Sequence, residues 1–529
     1  MSAARIALAL LLTSGCSTTM TVVALDAEPD NRANGRAIAV TVRDGDGRVV
    51  RAPADLVAVD AEDSWPVRVG IVPGGTSRYT LAAELLDDEG RVLSRVQTAG
   101  ALTPGRVVEV RLVFEDAVLP REECAAELVD GLDDLPAPVA LGLPPLRTRF
   151  VDPAFGTCVA RVTDASDGAD GPHPPAWIRH ETALRDPYSA DGAWALTRAD
   201  DGWWHLYAVP SWSHAREIDL QMDEPVWSPS DPDRLRYLLH EGRDAQLRQY
   251  DVRTNRDELL ADLLPELRAV WPAAARGWTR ERGEPSRDGA IWTWQVEDVT
   301  FGPLGVAVFD LDRPDGARLL GTLDTTERPR MVTSSPSGRF AVVAWEDATH
   351  AYPVDRDAGS VDFDGGRLLL EGAESSDLAL DAAGDDVFVV FDYTAGALSS
   401  VDLATGTRTP LLSLYPGPGT SIRGDVSGVA YDAPGWVLVS IAGCARDGGP
   451  CRPGDAAADD LLAFVELRRD GRVLPLAYMR ASGADYDAEP RATLSRDATR
   501  VLFASAWGGD VVASYEIYLP AGVLPEALP

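Results

Sequence analysis

Residues 334–345, SSPSGRFAVVAW, show the pattern that decides the fold: a Ser-Gly turn followed by a short run of β-branched and aromatic residues. Such residues favour strands, and Gly favours the tight turn before them. Further copies of a turn dipeptide followed by a β-rich run begin at Asp191, Pro232, Asp288, Gly384, Pro434 and Asp497. The repetition indicates that one structural unit recurs along the C-terminal part of the chain.

A further strand pattern follows each run and usually ends in a polar or acidic turn. Four-stranded units of about 40 to 50 residues are typical of the blades of β-propellers. Seven copies therefore predict a seven-bladed β-propeller over residues 149–529. The strand CVARVTD at residues 158–164 would pair with strands from the end of the chain, which closes the ring and removes an open sheet edge.

Residues 37–116 alternate apolar and polar side chains in short runs separated by Gly-containing turns. This alternation predicts antiparallel strands that are buried on one face. We predict a small immunoglobulin-like β-sandwich there, preceded by a tether at residues 16–36 and followed by a Pro-rich linker at residues 117–148. The predicted fold class is all-β.

The charge of the chain limits its partners. Its 529 residues include 49 Lys and Arg against 83 Asp and Glu, which gives a net charge of −34. Such a charge repels polyphosphate backbones and anionic lipid headgroups. We therefore expect no nucleic-acid partner and no polybasic contact with a membrane.

The N-terminus predicts export. Arg5 precedes the apolar run IALALLL, which is shorter than the roughly 20 residues needed to span a bilayer and is typical of a signal peptide over residues 1–15. Cys16 follows Thr-Ser-Gly, and this segment resembles the lipobox of bacterial lipoproteins, whose Cys becomes the lipidated first residue. The resemblance implies a lipid anchor in the cell envelope, and Ser17 resembles lipoproteins released to the outer membrane. The alternative is a plain secreted protein.

The other four cysteines are an even number, as expected in an oxidising compartment. Cys444 and Cys451 flank the loop ARDGGP, which Gly and Pro allow to fold back, so a local disulfide is predicted. A bond between Cys124 and Cys158 would fix the linker to the propeller. Four cysteines allow three connectivities, so this second pairing stays open.

Several longer segments carry a family resemblance. Among them are FVDPAFGTCVARVTD, DEPVWSPSDPDRLRY, GDVSGVAYDAPGWVLVS and EPRATLSRDATRVLFAS. They resemble a bacterial family of extracellular propellers related to TolB-like and oligogalacturonate-lyase-like repeats. The resemblance implies β-elimination of uronate sugars as a candidate activity, with a divalent metal held largely by His. Relatives often carry His where this chain has Asp425 and Arg491, so those residues do not carry over.

Two classes of site lack their motifs. The six His form no HxH or HExxH pair, which argues against a transition-metal site built from His. The sequence also has no GxSxG, the motif of the nucleophilic serine in α/β-hydrolases.

Glu-Pro dipeptides precede strand signals in three repeats, at Glu224, Glu284 and Glu489. Because the innermost strand of each blade lines the central channel, these carboxylates are predicted to converge on one acidic mouth. Carboxylates favour a hard cation such as Ca²⁺ or another divalent ion. The alternative is that Glu-Pro sets an extended geometry and accepts hydrogen bonds from local amides.

Equivalent segments of other repeats place further polar residues near the predicted mouth. Arginines there would pair with uronate or sulfate groups of a glycan. Trp507, in the segment AWGGD on a predicted loop, is the best candidate for stacking on a sugar ring. The polar residues are Asp377, Arg423, Asp425 and Arg491.

These observations favour a lipid-anchored propeller that binds a protein or polysaccharide partner of the cell envelope without catalysis. The alternative is a polysaccharide lyase or hydrolase similar to oligogalacturonate lyase, with a divalent metal at the channel mouth. Three convergent His, Asp, Glu or Gln ligands near an Arg or His would favour the lyase.

Overall fold

The computed structural model describes two compact units, Met1–Ala117 and Val118–Pro529, and each is considered by itself. Within the described ranges no helix is long and apolar enough to cross a membrane. The described residues are 20–27, 36–44, 49–51, 57–59, 67–71, 78–86, 92–101, 107–114, 128–132, 135–139, 141–169, 171–372, 374–392, 394–413, 421–445, 460–481, 489–509, 511–520 and 522–528.

The first unit consists of two sheets around one core. Its strands are β1 (Met20–Ala27), β2 (Ala37–Asp44), β3 (Val49–Arg51), β4 (Val57–Ala58), β5 (Val67–Ile71), β6 (Arg78–Leu86), β7 (Val92–Ala101) and β8 (Val107–Phe114). One sheet has the order β5-β1-β8, and the other has the order β3-β2-β6-β7 with β4 beside β2. Leu25 of the first sheet and Val40 and Leu81 of the second are fully buried in the shared core.

Strand β1 lies inside the segment that was predicted to be a tether, so that boundary is wrong. It runs parallel to β8, with Met20 opposite Val107, and antiparallel to β5. Val23 and Leu25 are fully buried. The prediction missed β1 because its partners are distant in sequence, so no hairpin turn marks it.

The second unit is a propeller of antiparallel sheets whose strands follow one another in sequence. Its first half comprises β9 (Arg149–Val151), β10 (Cys158–Arg161), β11 (Ile178–Arg179), β12 (Trp194–Ala199), β13 (Trp204–Ala208), β14 (Ser213–Ile218), β15 (Met222–Trp227), β16 (Arg234–Leu239), β17 (Gln246–Asp251), β18 (Arg256–Asp262), helix α1 (Leu264–Val270), β19 (Arg276–Trp278), β20 (Ile291–Glu297), β21 (Pro303–Asp310) and β22 (Leu319–Asp324). Short 3-10 helices cover Ala165–Gly168 and His240–Gly242.

The second half continues the same arrangement. It comprises β23 (Met331–Ser334), β24 (Phe340–Ala344), β25 (Ala348–Asp355), β26 (Ser360–Val361), β27 (Arg367–Glu371), β28 (Ser376–Leu380), β29 (Asp386–Asp392), β30 (Ala397–Asp402), β31 (Arg408–Ser413), β32 (Ser421–Ser427), β33 (Trp436–Ala445), β34 (Leu461–Glu466), β35 (Val473–Tyr478), β36 (Thr493–Leu494), β37 (Arg500–Ser505) and β38 (Ala513–Tyr518).

Five blades are separate sheets, whereas seven were predicted. These five are β15-β16-β17-β18, β19-β20-β21-β22, β23-β24-β25 with β26 and β27, β28-β29-β30-β31, and β32-β33-β34-β35. The remaining strands form one nine-stranded sheet, because β11 and β38 are joined by a single parallel pairing of Ile178 with Ala513.

The ends of this unit pair as the closure prediction requires. Strand β10 lies antiparallel to β38, with Cys158 opposite Tyr518 and Arg161 opposite Tyr515. On its other edge β38 pairs with β37. A strand from the start of the propeller is therefore held between its C-terminal strand and β9.

Described parts of the predicted Pro-rich linker lie against the propeller. The amide of Gly131 donates to Val473 O at 2.8 Å, and the Tyr478 hydroxyl donates to Pro136 O at 2.6 Å. Leu128 and Leu141 pack on the hydrophobic core. This segment is thus part of the second unit rather than a free spacer.

The structure describes the side chain of only one of the five cysteines. Cys158 is disulfide-bonded. The side chains of the other four cysteines lie outside the described residues, so its pairing with Cys124 and the bond between Cys444 and Cys451 stay predictions. Cys16 and its lipidation lie outside them as well.

Candidate functional site

Two of the innermost strands are interrupted by loops. Ile178 pairs with Ala199, and Tyr188 pairs with Ala195. Between these two pairings the first strand advances by ten residues and the second by only four, so the first strand contains a loop. After β19, the pairing of Trp278 with Gln295 is followed by a hydrogen bond from Ser286 N to Ile291 O. Between these two contacts one segment advances by eight residues and the other by four, so it also contains a loop. We call residues 180–187 and 279–285 the channel loops, because they bulge from the strands that line the propeller axis.

Arg185 connects the two channel loops. Its Nη1 lies 2.6 Å from Glu181 Oε2, and its Nη2 donates to Gly283 O at 3.1 Å. The backbone oxygen of Arg185 accepts a 2.7 Å bond from the Thr493 hydroxyl on β36. Only 5% of the Arg185 side chain is exposed, and it interacts electrostatically with Glu224. One guanidinium therefore holds inner segments of three sheets together.

Glu224 accepts hydrogen bonds from backbone amides of the second channel loop. It lies in a bulge of β15 with a φ of 53°, and such bulges redirect side chains. Its two oxygens each lie 3.0 Å from Thr279 N, and Oε1 also accepts from Glu281 N at 2.7 Å. Burial raises its pKa to about 7. The amide-binding alternative therefore describes Glu224 better than a cation site does.

Glu284 and Asp377 lie close enough to interact electrostatically. Tyr431 donates its hydroxyl proton to Glu284 Oε2 at 3.2 Å, and Asp377 accepts from Gly428 N at 2.7 Å and Leu378 N at 2.8 Å. Burial, followed by the charge of Asp377, raises the pKa of Glu284 to about 8. Burial raises the pKa of Asp377 to about 7. Burial thus disfavours the ionised forms of both acids, more strongly for Glu284 than for Asp377.

Asp425, Glu489 and Arg491 form a second group. Arg491 Nη2 lies 3.5 Å from Glu489 Oε2, and its Nη1 donates to Glu181 O at 3.4 Å. Burial and the charge of Glu489 raise the pKa of Asp425 to about 6, although Arg491 opposes this. Glu181 therefore connects this group with Arg185. The side chain of Arg423, which was predicted to join it, lies outside the described residues.

The predicted cation site does not fit this arrangement. Both Glu224 oxygens already accept amide protons, and Arg491 is cationic where relatives often carry His. Across the described part of the chain, no group of three or more His, Cys, Asp or Glu side chains could hold a metal ion. The channel therefore offers no set of ligands for Ca²⁺ or for a metal held by His.

Trp507 differs from the expectation of an exposed stacking surface. Only 7% of the residue is exposed. Its ring stacks on Tyr515 with centroids 4.6 Å apart, Arg480 lies over it at 5.0 Å, and its Nε1 donates to Gly142 O at 2.9 Å. Since one face stacks on Tyr515 and Arg480 lies over the ring, Trp507 packs the core and is not available to a sugar.

A pocket of about 50 Å³ opens where the innermost strands turn into the second strands. Such a volume has room for a few water molecules. The sequence analysis did not predict the arginines of this pocket, because it considered only residues at the start of the innermost strands. Arg236 lies within β16, and Arg287 and Arg496 lie in turns. Its polar and aromatic lining is Asp186, Tyr188, Trp227, Arg236, Glu284, Arg287, Tyr431 and Arg496.

Three arginines and two acids are the charged residues of the pocket. Arg236 Nη1 donates to Gly289 O at 2.8 Å, while its Nε has no hydrogen-bond partner in the described structure and burial lowers its pKa. Arg496 donates to Arg287 O at 2.9 Å and lies over the Tyr431 ring at 5.2 Å. Burial raises the pKa of Asp186 well above its usual range, as it does for Glu284. Burial therefore disfavours the ionised forms of both acids, whereas the arginines remain charged.

Glu224→Gln tests whether this carboxylate is structural. The Gln oxygen can replace Oε1, but its NH2 group places a donor where Oε2 accepts from Thr279 N, and the charge facing Arg185 is lost, so the variant should lose about 1 to 3 kcal/mol of unfolding free energy. Urea denaturation measures the loss, and Glu371→Gln, at an exposed acid, is the control. Calorimetry with Ca²⁺ should give the same result for both variants. Lower Ca²⁺ affinity in Glu224→Gln alone would favour a cation site instead.

Glu284→Gln tests the raised pKa. An acid whose pKa is higher in the folded state than in the unfolded state stabilises the fold at low pH, and this contribution is lost as the pH rises through the folded value. For Glu284 that window runs from about 4.5 to about 8. Removing it should reduce the loss of stability by up to about 1.4 kcal/mol per pH unit in that window. Urea titrations from pH 5 to pH 8 measure it; an unchanged slope would mean that Glu284 is ionised throughout.

Comparisons with known proteins add a likeness in fold. No protein-family model and no curated protein matches the chain. A solved structure of oligogalacturonate lyase in complex with manganese aligns at a TM-score of 0.48 and 16% identity, covering 71% of this chain and 96% of the other. Oligogalacturonate lyase from Vibrio parahaemolyticus aligns at 0.47 and 14% identity, with coverages of 71% and 97%. The chain is an all-β protein with a propeller, as the order of its described strands shows.

Proposed function

We propose that the pocket beside Arg236 binds a carboxylate group of an anionic oligosaccharide of the uronate class, and that the protein acts as a binding module of the bacterial cell envelope. The observation that carries the proposal is a pocket lined by three arginines in a chain whose net charge is −34. A positive site in such a protein serves no general solubility purpose, because solubility is already provided by the excess of acids.

The arginines have donors left for a ligand. No described carboxylate forms an ion pair with Arg236 or Arg287, and Arg496 lies 3.8 Å from Asp432. Arginine presents two parallel N–H groups to a carboxylate or sulfate. Because Arg287 is exposed while Arg236 is half-buried, an anionic group would enter from the solvent side and be held more deeply by Arg236.

Two aromatic residues favour a sugar as the carrier of the anion. Trp227 and Tyr431 line the pocket and are only partly buried. Trp227 Nε1 donates to Pro187 O at 2.9 Å, which fixes the orientation of its ring. Aromatic rings of fixed orientation beside polar groups are typical of small-molecule sites.

The second candidate function is cleavage of the same ligand by β-elimination, the activity that the sequence resemblance implies. Glu284 favours it, because a buried acid with a pKa near 8 that receives a bond from Tyr431 is suited to exchange a proton with a substrate. In this reaction a base takes the proton at C5, the bond between C4 and its oxygen breaks as a C4–C5 double bond forms, and the departing oxygen takes up a proton to become a hydroxyl group. The described side chains do not fit a manganese site, so no step is assigned to a metal.

We also propose that the nine-stranded sheet is two blades, β11 to β14 and β36-β37-β38-β10-β9, which brings the count to seven. A single residue pairing joins the two halves, and each half has the strand number of a blade. In that arrangement the pocket lies at the turns on one end of the ring, where loops of several blades converge.

Arg236→Gln tests the binding proposal. Loss of one charge-assisted contact of about 1.5 to 3 kcal/mol should weaken the affinity for trigalacturonate about tenfold to a hundredfold, measured by calorimetry. Arg287→Gln should weaken it less, because Arg287 is exposed, and Arg469→Gln, at an exposed arginine of another turn, should leave it unchanged. A neutral trisaccharide should not compete.

The same protein should be incubated with polygalacturonate while absorbance of the unsaturated product is followed. Product formation that Glu284→Gln abolishes would establish the lyase function. Binding without product would support the binding module. Equal affinity for neutral and anionic sugars, or equal affinity in the Arg236 and Arg469 variants, would contradict both.

We further propose that Cys16 anchors the protein in the outer membrane, as its resemblance to a lipobox suggests. Expression in a bacterium with labelled palmitate should give a labelled protein in the membrane fraction. Cys16→Ser should be unlabelled and recovered in the soluble envelope fraction. A labelled Cys16→Ser variant would contradict the assignment.

A further inference from the structure

Two histidines face each other on one side of β13 and β14. His205 Nδ1 lies 3.0 Å from His214 Nε2, and His205 pairs with Glu217 across the two strands. His205 is 0% exposed, and His214 is partly buried. A hydrogen bond between two ring nitrogens needs a lone pair on one of them. The contact therefore forms only while at least one of the two facing nitrogens carries no proton.

A segment that we call the latch covers this histidine pair. It comprises residues 165–169 and 171–176, between β10 and β11. A Cβ on Gly168 would be 3.0 Å from His205 Cε1, so the latch backbone lies directly on the ring. A Cβ on Gly171 would be 3.0 Å from Glu217 Oε2. The latch thus separates His205 and Glu217 from water.

Polar side chains hold the latch on the sheet. Asp167 Oδ2 accepts a 3.0 Å bond from the Tyr207 hydroxyl, and Asp167 Oδ1 lies 2.6 Å from Arg147 Nη2. His173 Nδ1 lies 2.7 Å from Glu217 Oε1. Two of the residues that make these contacts, Tyr207 and Glu217, lie on the same strands as the histidine pair. Closure of the latch and burial of the pair therefore depend on each other.

Little apolar packing supports the latch. Among its described residues only Gly168 is buried. Its internal backbone bonds run from Ala169 N to Ser166 O at 3.2 Å and from Gly171 N to Gly168 O at 3.0 Å. Segments with few buried apolar contacts open at a much lower free energy than the core strands of the same protein. We therefore expect the latch to open before the sheet beneath it.

Burial keeps the histidine pair neutral while the latch is closed. Burial, followed by the charge of His214, lowers the pKa of His205 to about 4, and burial also lowers the pKa of His214. Charged groups face the pair from β14, from the latch, from the turn after β12 and from the segment before β9. The acids among them favour protonation of His205, but burial outweighs them. These groups are Glu217, Asp167, Asp201 and Arg147.

We propose that the latch is an acid-sensitive switch, which is closed over His205 and His214 while both are neutral and opens when they take up protons. An imidazole that reaches water on opening binds protons more readily in the open state, so acid favours that state. The contribution of His205 to closure is complete above about pH 6.5 and is lost as the pH falls toward about 4. The latch leads into β11 and the first channel loop. The switch does not rest on the proposed sugar binding.

Hydrogen–deuterium exchange of the full-length protein, followed by mass spectrometry from about pH 7.5 to about pH 5, tests the switch. After correction for the intrinsic pH dependence of exchange, peptides that contain the latch should lose protection at least about tenfold. A peptide that covers β29, in another sheet, should keep its protection. His205→Gln and His214→Gln should each show a smaller loss and the double variant none, because Gln does not titrate. His240→Gln, which alters a half-exposed His elsewhere, should behave like the parent.

His205 is buried, so circular dichroism is recorded for each variant; if those that lack His205 do not fold, the partly buried His214 decides alone. Unchanged protection of the latch in the parent over this range would overturn the proposal. An equal loss in β29 would mean that acid unfolds the whole unit, which overturns it as well. An equal loss in the parent and in folded His214→Gln would assign the effect to other groups and would also contradict the switch.

Discussion

The pairing of β10 with β38 is the constraint on which the second unit depends. Each blade buries its faces only against its neighbours, so a chain of blades is stable when the last one meets the first. Ile517 lies opposite Val159 on one side and Val501 on the other, and all three are almost fully buried. This pairing brings Arg491 and Thr493, near the end of the chain, beside Glu181 and Arg185 near its start. Without closure the channel contacts between distant parts of the sequence would not form.

Closure of the ring also places ionisable groups along the propeller axis, where burial shifts their pKa values. Glu224, Glu284, Asp377 and Asp425 all have raised pKa values, and burial is the largest cause in each case. Arg185 offsets part of this cost for Glu224 and Glu284, because its charge favours their ionised forms. Nearby carboxylates oppose it, since each disfavours ionisation of the other. The axis is therefore a network of protonated and ionised acids around one guanidinium rather than an acidic opening.

The sequence predicted the regular parts of this unit and missed its innermost parts for a physical reason. The β-rich run after Ser337 forms β24, a second strand of its sheet, whose turn and apolar residues depend on local geometry. The innermost strands β11 and β36 are only two residues long and pair irregularly, so they carry no alternation that a sequence shows. Trp507 was misjudged because burial by Tyr515 depends on packing across a turn. The pairing of His205 with Glu217 was not predicted, because cross-strand register, and not spacing along the chain, places these two residues opposite each other.

Net charge and local charge diverge in this protein because burial acts on acids and on arginine differently. Burial raises the pKa values of Asp186 and Glu284 and so disfavours their ionised forms, whereas arginine stays protonated even where burial lowers its pKa, as at Arg236. Where the two residue types are buried together, burial therefore favours positive over negative charge, although the chain as a whole is strongly negative. An anionic ligand that reaches the pocket would reinforce this state, since its charge further disfavours ionisation of Glu284. Binding of such a ligand is thus coupled to proton retention by the pocket, in contrast to a neutral ligand, which leaves the proton balance unchanged.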